Sequence, residues 1–527
     1  VARDYPSVPA WWVLERNLER FADRVAIQAL DHDTAREGRA LTYGELSRAS
    51  RGVASGLAKL GVTPGQRVGF CLPNSPEIVI GYYATWMAGA AAVPANPGAR
   101  EAELAQQFAD AEVALIVAAP GGAPAAVASR LGVPFVSTDD LAELETTPPA
   151  EPWAPERPQD ALAVLLYTGG TTGPPKGAML THANIVTNTI QFAEWYAFEP
   201  GAERAMGIIP MSHSGGMSGA MNVPLYAGAT LLVMPRFNPS AVAAAVGRHR
   251  ATRLFGVPTM FIALLNSPEG RRADYSSLRA CRTNATALPP SVKAAFDDLV
   301  GREVLVEGYG LTETSPLTHA NPVGRAKAGS IGIPIGDTDA RIVDVETGAD
   351  VTDTGAGELL IRGPQVMLGY WRRGGETTDV LRDGWLRTGD IATMDAEGYF
   401  AIVDRKKDVI NSAGFKIWPR EVEETIYEHE AVKLVAVFGV PDDYRGEAVK
   451  ACVVLKDGHR AVREADIAEF CKARLSTYKV PRTIEFRDTL PTSAAGKVLR
   501  RVLRDEAAGA SAPSPTAPPP RRTEDRA

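Results

Sequence analysis

Ten residues, Thr168 to Gly177, concentrate four glycines, three threonines and a lysine. They read Thr168-Gly169-Gly170-Thr171-Thr172-Gly173-Pro174-Pro175-Lys176-Gly177 and follow the apolar run Leu162 to Leu166, which has the pattern of a buried strand. Glycines let backbone N–H groups curl around phosphate oxygens. The threonines add hydroxyl donors and Lys176 adds a point charge, so this loop is suited to a polyphosphate. It is not a Walker A loop, which needs Gly-Lys-Ser/Thr contiguous, because two prolines part Gly173 from Lys176.

Further chemistry-bearing segments follow in order. Gly308-Tyr309-Gly310-Leu311-Thr312-Glu313 places a flat aromatic, a hydroxyl and a hard carboxylate together. Trp385 and Arg387-Thr388-Gly389-Asp390 precede the charged run Asp404-Arg405-Lys406-Lys407-Asp408, and Pro491-Thr492-Ser493-Ala494-Ala495-Gly496-Lys497 ends on a lysine. With Leu41-Thr42-Tyr43, Glu45-Leu46 and Gly357-Glu358-Leu359, this ordered set resembles the adenylate-forming superfamily. That group holds acyl-CoA synthetases, peptide-synthetase adenylation domains and beetle luciferases. The resemblance runs from residue 41 to residue 501.

The resemblance implies a reaction in two halves. A carboxylate attacks the α-phosphate of ATP to give an acyl-adenylate, and a thiol then displaces AMP. Both halves spread negative charge over oxygens, which calls for fixed cations and donors. Thr168, Gly169, Gly170, Thr171, Thr172, Gly173 and Lys176 are implied as the triphosphate loop. Glu313 is implied as the Mg²⁺ ligand, as suits a hard cation. Tyr309, flanked by Gly308 and Gly310, is implied to stack on adenine beside Asn284, Ala285 and Thr286; Thr312 is implied to reach a phosphate. Asp390 and Arg405 are implied to hold the ribose hydroxyls. Lys497 matches the lysine that bridges substrate carboxylate and phosphate, Lys407 the hinge, and Ser412-Ala413-Gly414-Phe415 the pantetheine tunnel. Lys406, Lys416, Lys472 and Lys479 are candidates for the phosphates of CoA. His213, in Pro210-Met211-Ser212-His213, matches a gating or orienting position beside the acyl carbonyl.

Amino-acid-activating relatives keep an Asp near that histidine; here the neighbours are Ser212, Ser214, Gly215 and Gly216. An amine would find no partner, so a hydrophobic carboxylic acid is expected, whether fatty, aryl, alicyclic or terpenoid. The expected acyl pocket takes in Ser212, Gly216, Met217, Met221, Val257 and Leu311, small or soft side chains that leave room. The same small residues also suit close helix packing. The acceptor is read as free CoA, with a separate carrier protein as the other possibility.

Two departures stand at sensitive places. The phosphate loop usually begins Thr-Ser-Gly and here begins Thr168-Gly169-Gly170. The adenine-side loop usually reads Ser-Gly-Gly-Ala and here reads Thr283-Asn284-Ala285-Thr286. An alternative reading follows from them: ATP-dependent adenylation is impaired and the chain mainly thioesterifies an acyl-adenylate. Two further classes have less support. A luciferase-type oxygenase is demanded by no motif, and a nucleotide-binding pseudoenzyme predicts loss of Glu313 or Lys497, both present.

Strand and helix patterns alternate through Arg51–Leu60, Arg67–Leu72, Val113–Val117 and Ala161–Tyr167, which predicts an α/β fold with largely parallel sheets. The resemblance implies two flavodoxin-like subdomains, a small β-barrel-like subdomain in the Gly-rich stretch 332–400, and a small mobile α+β C-terminal domain. The expected division is an AMP-binding domain over 1–404, a lid over 405–506, and a disordered tail over 507–527, rich in Ala, Pro, Ser and Arg. Thr146 to Pro158, with five prolines, reads as a connector.

The composition fits. Over 527 residues the net charge is −7 and charged residues make up 23%, so no strong basic field draws the chain to nucleic acid. Four cysteines without a CxxC spacing indicate neither zinc nor a disulfide framework. A cytoplasmic setting is expected, with no apolar signal core near Arg3 and Asp4 and no integral membrane span. Uncharged stretches at Ile78–Ala99 and Met206–Pro235 are cut by Gly and Pro and read as core or pocket wall. A homodimer is left open. Of 13 lysines, nine fall between Lys406 and Lys497, where the resemblance puts the mobile domain.

Overall fold

The computed structural model describes residues 3–168, 175–412, 415–442, 445–459, 461–492 and 498–509. They form two compact units, one running to Lys406 and the other beginning at Lys407.

Two large, mainly parallel sheets dominate the first unit among the described residues. One has nine strands. Its parallel centre runs in the order Leu305–Gly310, Ala280–Thr283, Arg253–Gly256, Arg204–Gly207, Thr230–Val233 and Val25–Leu30. The other has six strands, in the order Phe135–Ser137, Leu115–Ala118, Arg67–Cys71, Ala91–Pro94, Leu162–Thr168 and an antiparallel edge Lys176–Thr181. The strands Leu115–Ala118, Ala91–Pro94 and Thr230–Val233 are buried throughout, which is why they read as continuous apolar runs. Helices Tyr43–Lys59, Pro76–Met87 and His182–Trp195 contribute to one apolar core together with strands of both sheets. A third sheet, antiparallel, carries Asp339–Val343, Gly357–Arg362, Trp385–Met394 and Phe400–Arg405. The mixed architecture agrees with the expected fold class.

Local chemistry sets several boundaries. The first long helix begins at Tyr43, eight residues before the expected Arg51, because Thr42 and Glu45 close a reciprocal capping box around its first turn. The uncharged stretch from Ile78 is the buried helix Pro76–Met87, capped by Ser75 and started by a proline, followed by the strand Ala91–Pro94. No helix among the described residues is long and apolar enough to cross a membrane. In the second unit, the long hairpin Val432–Asp442 and Gly446–Leu455 carries the short strands Ile410–Ser412 and Thr483–Phe486 on its flank, with helix Pro419–Tyr427 packed against it.

Two buried imidazoles make the first unit acid-sensitive. His182 accepts from the Ala10 amide at 3.0 Å and His319 sits edge-on to Phe400. Burial pushes each ring down to about 3. The unfolded chain therefore takes protons between the ordinary histidine pKa and 3 that the folded chain refuses. Stability is full above about pH 6.5 and falls below it by roughly 1.4 kcal/mol per pH unit for each ring. His319→Gln should flatten the slope of unfolding free energy against pH between about 6 and 4 by one such increment; an unchanged slope by denaturant titration refutes the assignment.

Candidate functional site

Thr168, Asn284 and Tyr309 stand at or just beyond the carboxyl ends of parallel strands, where ligands bind in open α/β sheets, while Asp390 and Arg405 lie on the antiparallel third sheet. Thr168 ends its strand and stands in register opposite Lys176, which opens the antiparallel edge strand. The strands that flank the expected phosphate loop are thus antiparallel neighbours. Gly169, Gly170, Thr171, Thr172 and Gly173 lie outside the described residues, as do Ala413, Gly414 and Lys497.

Two polar clusters form among these residues and their neighbours. In the first, Glu313 accepts a hydrogen bond from the Tyr370 hydroxyl at 2.7 Å, and its own carbonyl accepts from the Met367 amide at 2.8 Å. The Lys176 ammonium lies 5.2 Å from the Tyr370 ring centre and pairs with Glu376. Burial, then the Glu313 charge, raises the Tyr370 phenol, so it stays a donor. In the second, Asp390 is 3% exposed, accepts from the Tyr309 hydroxyl at 2.6 Å and meets the Arg405 guanidinium at 3.1 Å. Asp390 and Arg405 are directly opposed on adjacent antiparallel strands. Burial, then Asp390, holds the Tyr309 phenol well above its usual range.

Between the clusters, backbone geometry requires particular residues. A side chain at Gly310 would put its Cβ 1.8 Å from the Pro316 carbonyl oxygen. Thr312 lies in a short 3₁₀ turn, Thr312–Thr314. Helix His182–Trp195 braces this turn: Asn188 donates to the Leu317 carbonyl at 2.8 Å and accepts from its amide at 3.0 Å.

His213 follows the strand Arg204–Gly207 and precedes a π-helix, Gly216–Asn222, a form concentrated at functional sites. The segment leading to His213 is clamped from the neighbouring helix. Asn74 donates to the Ile209 carbonyl and accepts from the Met211 amide, while the Tyr82 hydroxyl donates to the Met211 carbonyl at 2.8 Å. The buried Nε2 of His213 has no hydrogen-bond partner among the described residues. Burial lowers its pKa, so the ring is neutral at pH 7. Of the expected pocket residues, Met217 and Met221 belong to the shared core, with Leu311 packed against it. Ser212 and Val257 are also buried. The space beside Gly216 is taken by backbone, since a Cβ there would lie 2.0 Å from the Pro210 oxygen.

The adenine-side departure is absorbed in the backbone. Ala285 holds φ +73°, the left-handed conformation a glycine would adopt without strain. The loop keeps its glycine-type path despite the Cβ. Ala285→Gly should stabilise the protein by roughly 0.5–1 kcal/mol, the relieved strain less the added freedom of the unfolded chain. Destabilisation on chemical denaturation refutes that.

In the second unit, Ser412 is buried, while Phe415 is 52% exposed and stacks on Tyr478 with ring centres 4.5 Å apart. Among the lysines suggested for CoA, Lys406 approaches Glu358 at 3.5 Å, Lys472 pairs with Glu469 and Lys479 with Glu421.

Three neighbours of the site escape sequence reading. Tyr370 and Glu376 come from a loop and a short helix whose spacing marks no motif. Arg282 was legible in principle, as a charge inside an otherwise buried strand, Ala280–Thr283. A surface cleft of about 700 Å³ lies elsewhere: Arg204, Thr252, Arg279 and Arg302 place it at the opposite, amino ends of the strands.

A family profile described as AMP-binding enzyme matches residues 14–371, and one described as AMP-binding enzyme C-terminal domain matches residues 421–497. The chain belongs to the AMP-binding enzyme family. A long-chain-fatty-acid–CoA ligase of Bacillus subtilis strain 168 is 40% identical over 539 aligned positions, covering 94% of each chain. A feruloyl-CoA synthase of an Amycolatopsis species is 38% identical, over 89% of this chain and 94% of its own. Among solved structures, ATP-bound MatB from Rhodopseudomonas palustris has a TM-score of 0.86 at 31% identity, covering 94% of this chain and 99% of its own. An anthranilate CoA ligase in complex with anthranoyl-AMP has a TM-score of 0.88 at 28% identity, covering 95% and 98%. This AMP-binding enzyme is therefore similar over nearly its whole length to ligases that differ in the acids they are named for.

Proposed function

We propose that this enzyme is an AMP-forming acid–CoA ligase that activates a carboxylic acid of largely apolar body as its adenylate and passes the acyl group to CoA. The observation that carries the reading is the pair of polar clusters, Lys176–Tyr370–Glu313 and Tyr309–Asp390–Arg405, in which every member but Tyr370 comes from a motif. The names of the relatives support it.

In this reading Thr168, Lys176 and the loop between them bind the triphosphate, with Lys176 exchanging Glu376 for phosphate oxygens. Tyr309 and the loop from Asn284 to Thr286 face adenine; Asp390 and Arg405 hold the ribose. Lys497 spans the carboxylate and the α-phosphate, and the neutral His213 orients the acyl carbonyl without acting as a base. Among the described residues no cluster of three or more acidic, His or Cys side chains could hold a metal alone. Mg²⁺ fits this site in another way, since it is commonly bound by one carboxylate together with substrate phosphates. Glu313 would be that carboxylate, and the ion would neutralise phosphate charge. Lys407 begins the second unit and serves as the hinge; Ser412 and Phe415 line the path of the thiol. The glycine-type backbone at Ala285 favours intact adenylation over the impaired variant.

The test is a panel of carboxylic acids scored separately for pyrophosphate release and for CoA thioester. The ligase reading expects both products from the same acids. Thioester from supplied acyl-adenylates without pyrophosphate release selects the impaired variant, and neither product from any acid ends the reading.

A further inference from the structure

Arg282 lies in the strand Ala280–Thr283 and is 3% exposed. It makes no hydrogen bond or ion pair among the described residues: Nε and Nη2 are buried without a partner. Its guanidinium carbon sits 4.4 Å from the centre of the Phe192 ring and 5.9 Å from that of Tyr196. The Tyr196 hydroxyl is also buried without a partner. The side chains beside it on the adjoining strands are apolar. Phe255 and Val306, the register neighbours of Arg282 on the adjoining strands, belong with Phe192 and Tyr196 to one hydrophobic cluster.

A buried charge without a counter-charge is strongly unfavourable, and contact with one aromatic face offsets only part of it. Structural arginines at such depth are paired, as Arg253 is with Glu203 at 2.6 Å a strand away. Arg282 is not paired, and its position is informative. It stands one residue before the adenine-side loop, and a Cβ on Gly219 of the π-helix would lie 3.5 Å from its Nη1. On its other flank a Cβ on Gly308 would lie 3.0 Å from Nε. Gly219 makes room for the Phe192 ring that stacks on the guanidinium, and Gly308 lets the His319 carbonyl and Leu317 pack close, so the arginine sits directly beside the π-helix that carries the wall expected for the acyl group. Both unpartnered groups, guanidinium and phenol, are donors. What completes such a pair is an acceptor, and an anionic one completes it best.

We propose that Arg282, with Tyr196 beside it, recognises a second carboxylate or comparable acceptor on the acid substrate, remote from the carboxyl that is activated. The preferred substrates are then dicarboxylic, keto or hydroxy acids with an apolar middle, and not simple fatty acids. The inference rests on the ligase reading and narrows its substrate class.

The test compares kcat/KM for matched pairs, octanoate with octanedioate and phenylpropanoate with its ring-carboxylated analogue, in the wild type, Arg282→Met and Arg282→Lys. The wild type should favour the second member of a pair by roughly 10²-fold or more, because a site built to bind a polar group rejects the analogue lacking it. Arg282→Met should collapse that ratio about 100-fold, and Arg282→Lys should retain part of it. Arg282→Met should also be the more heat-stable protein, since it removes an unpaired buried charge. A purely structural arginine predicts the reverse: lower stability and an equal loss on both members. A wild type that is indifferent, or prefers the monoacid, overturns the proposal even where Arg282→Met does not fold. Turnover of no acid overturns the ligase reading and this inference with it.

Discussion

Glu313→Gln lowers acid-dependent pyrophosphate release by roughly 10²–10³-fold, while thioester formation from supplied acyl-adenylate stays within about threefold of the wild type. The substitution is close to isosteric. Glutamine still accepts from the Tyr370 hydroxyl, now at 2.7 Å from the carboxylate, and the backbone bond from Met367 is untouched. The turn Thr312–Thr314 therefore keeps its place, and the melting temperature barely moves. Only the negative charge goes. A charge that holds Mg²⁺ against developing phosphate charge matters when adenylate forms and pyrophosphate leaves. It matters little when a thiol displaces AMP. A structural role for Glu313 predicts equal losses in both half-reactions, and that result rejects the assignment. Tyr370→Phe is the companion measurement: it frees the carboxylate without removing it and should cost about tenfold in adenylation, consistent with loss of one hydrogen bond.

Asp390→Ala has the second large effect, on stability and on nucleotide binding together. Asp390 is buried and serves Tyr309 and Arg405 at once. Its removal leaves the Tyr309 phenol without its acceptor and strips Arg405 of one ion-pair partner. Removing a buried carboxylate that serves a buried phenol and a guanidinium 32% exposed should destabilise by about 2 kcal/mol. Asp390→Asn separates the two roles. The amide can still accept from Tyr309, so most of the stability returns. The charge that would hold the ribose hydroxyls does not, and KM for ATP should rise roughly 10²-fold at near-normal stability. If Asp390→Asn restores ATP affinity as fully as it restores the fold, Asp390 is a structural residue and the ribose assignment falls.

The legible part of this protein lies where a single segment carries its own physical signature. The α/β alternation came from apolar runs because the central strands are covered on both faces. The phosphate-loop reading rests on glycine and threonine density. The capping box at Thr42 and Glu45 was present in the sequence as Thr-x-x-Glu, yet the helix was expected from Arg51, because residues 43–50 mix small and polar side chains that carry a weak apolar period. Gly216 shows a different limit. Its smallness suggests room for an acyl chain, and the structure fills that room with the Pro210 carbonyl. Smallness is visible in a sequence; what occupies the vacated space is not.

By itself the sequence determined the class of chemistry, because Thr168, Lys176, Glu313, Tyr309, Asp390 and Arg405 stand in short ordered motifs whose residue types suit phosphate, adenine and ribose. Only the tertiary structure decided which side chains work on one another. Tyr370 meets Glu313 across 57 positions and Tyr309 meets Asp390 across 81. Those pairings follow from strand order and register, which no local spacing encodes. The same holds for Arg282. In the sequence it is one arginine among many; in the fold it is a buried charge without a partner. The difference is desolvation, which exists only once distant segments have closed around the group.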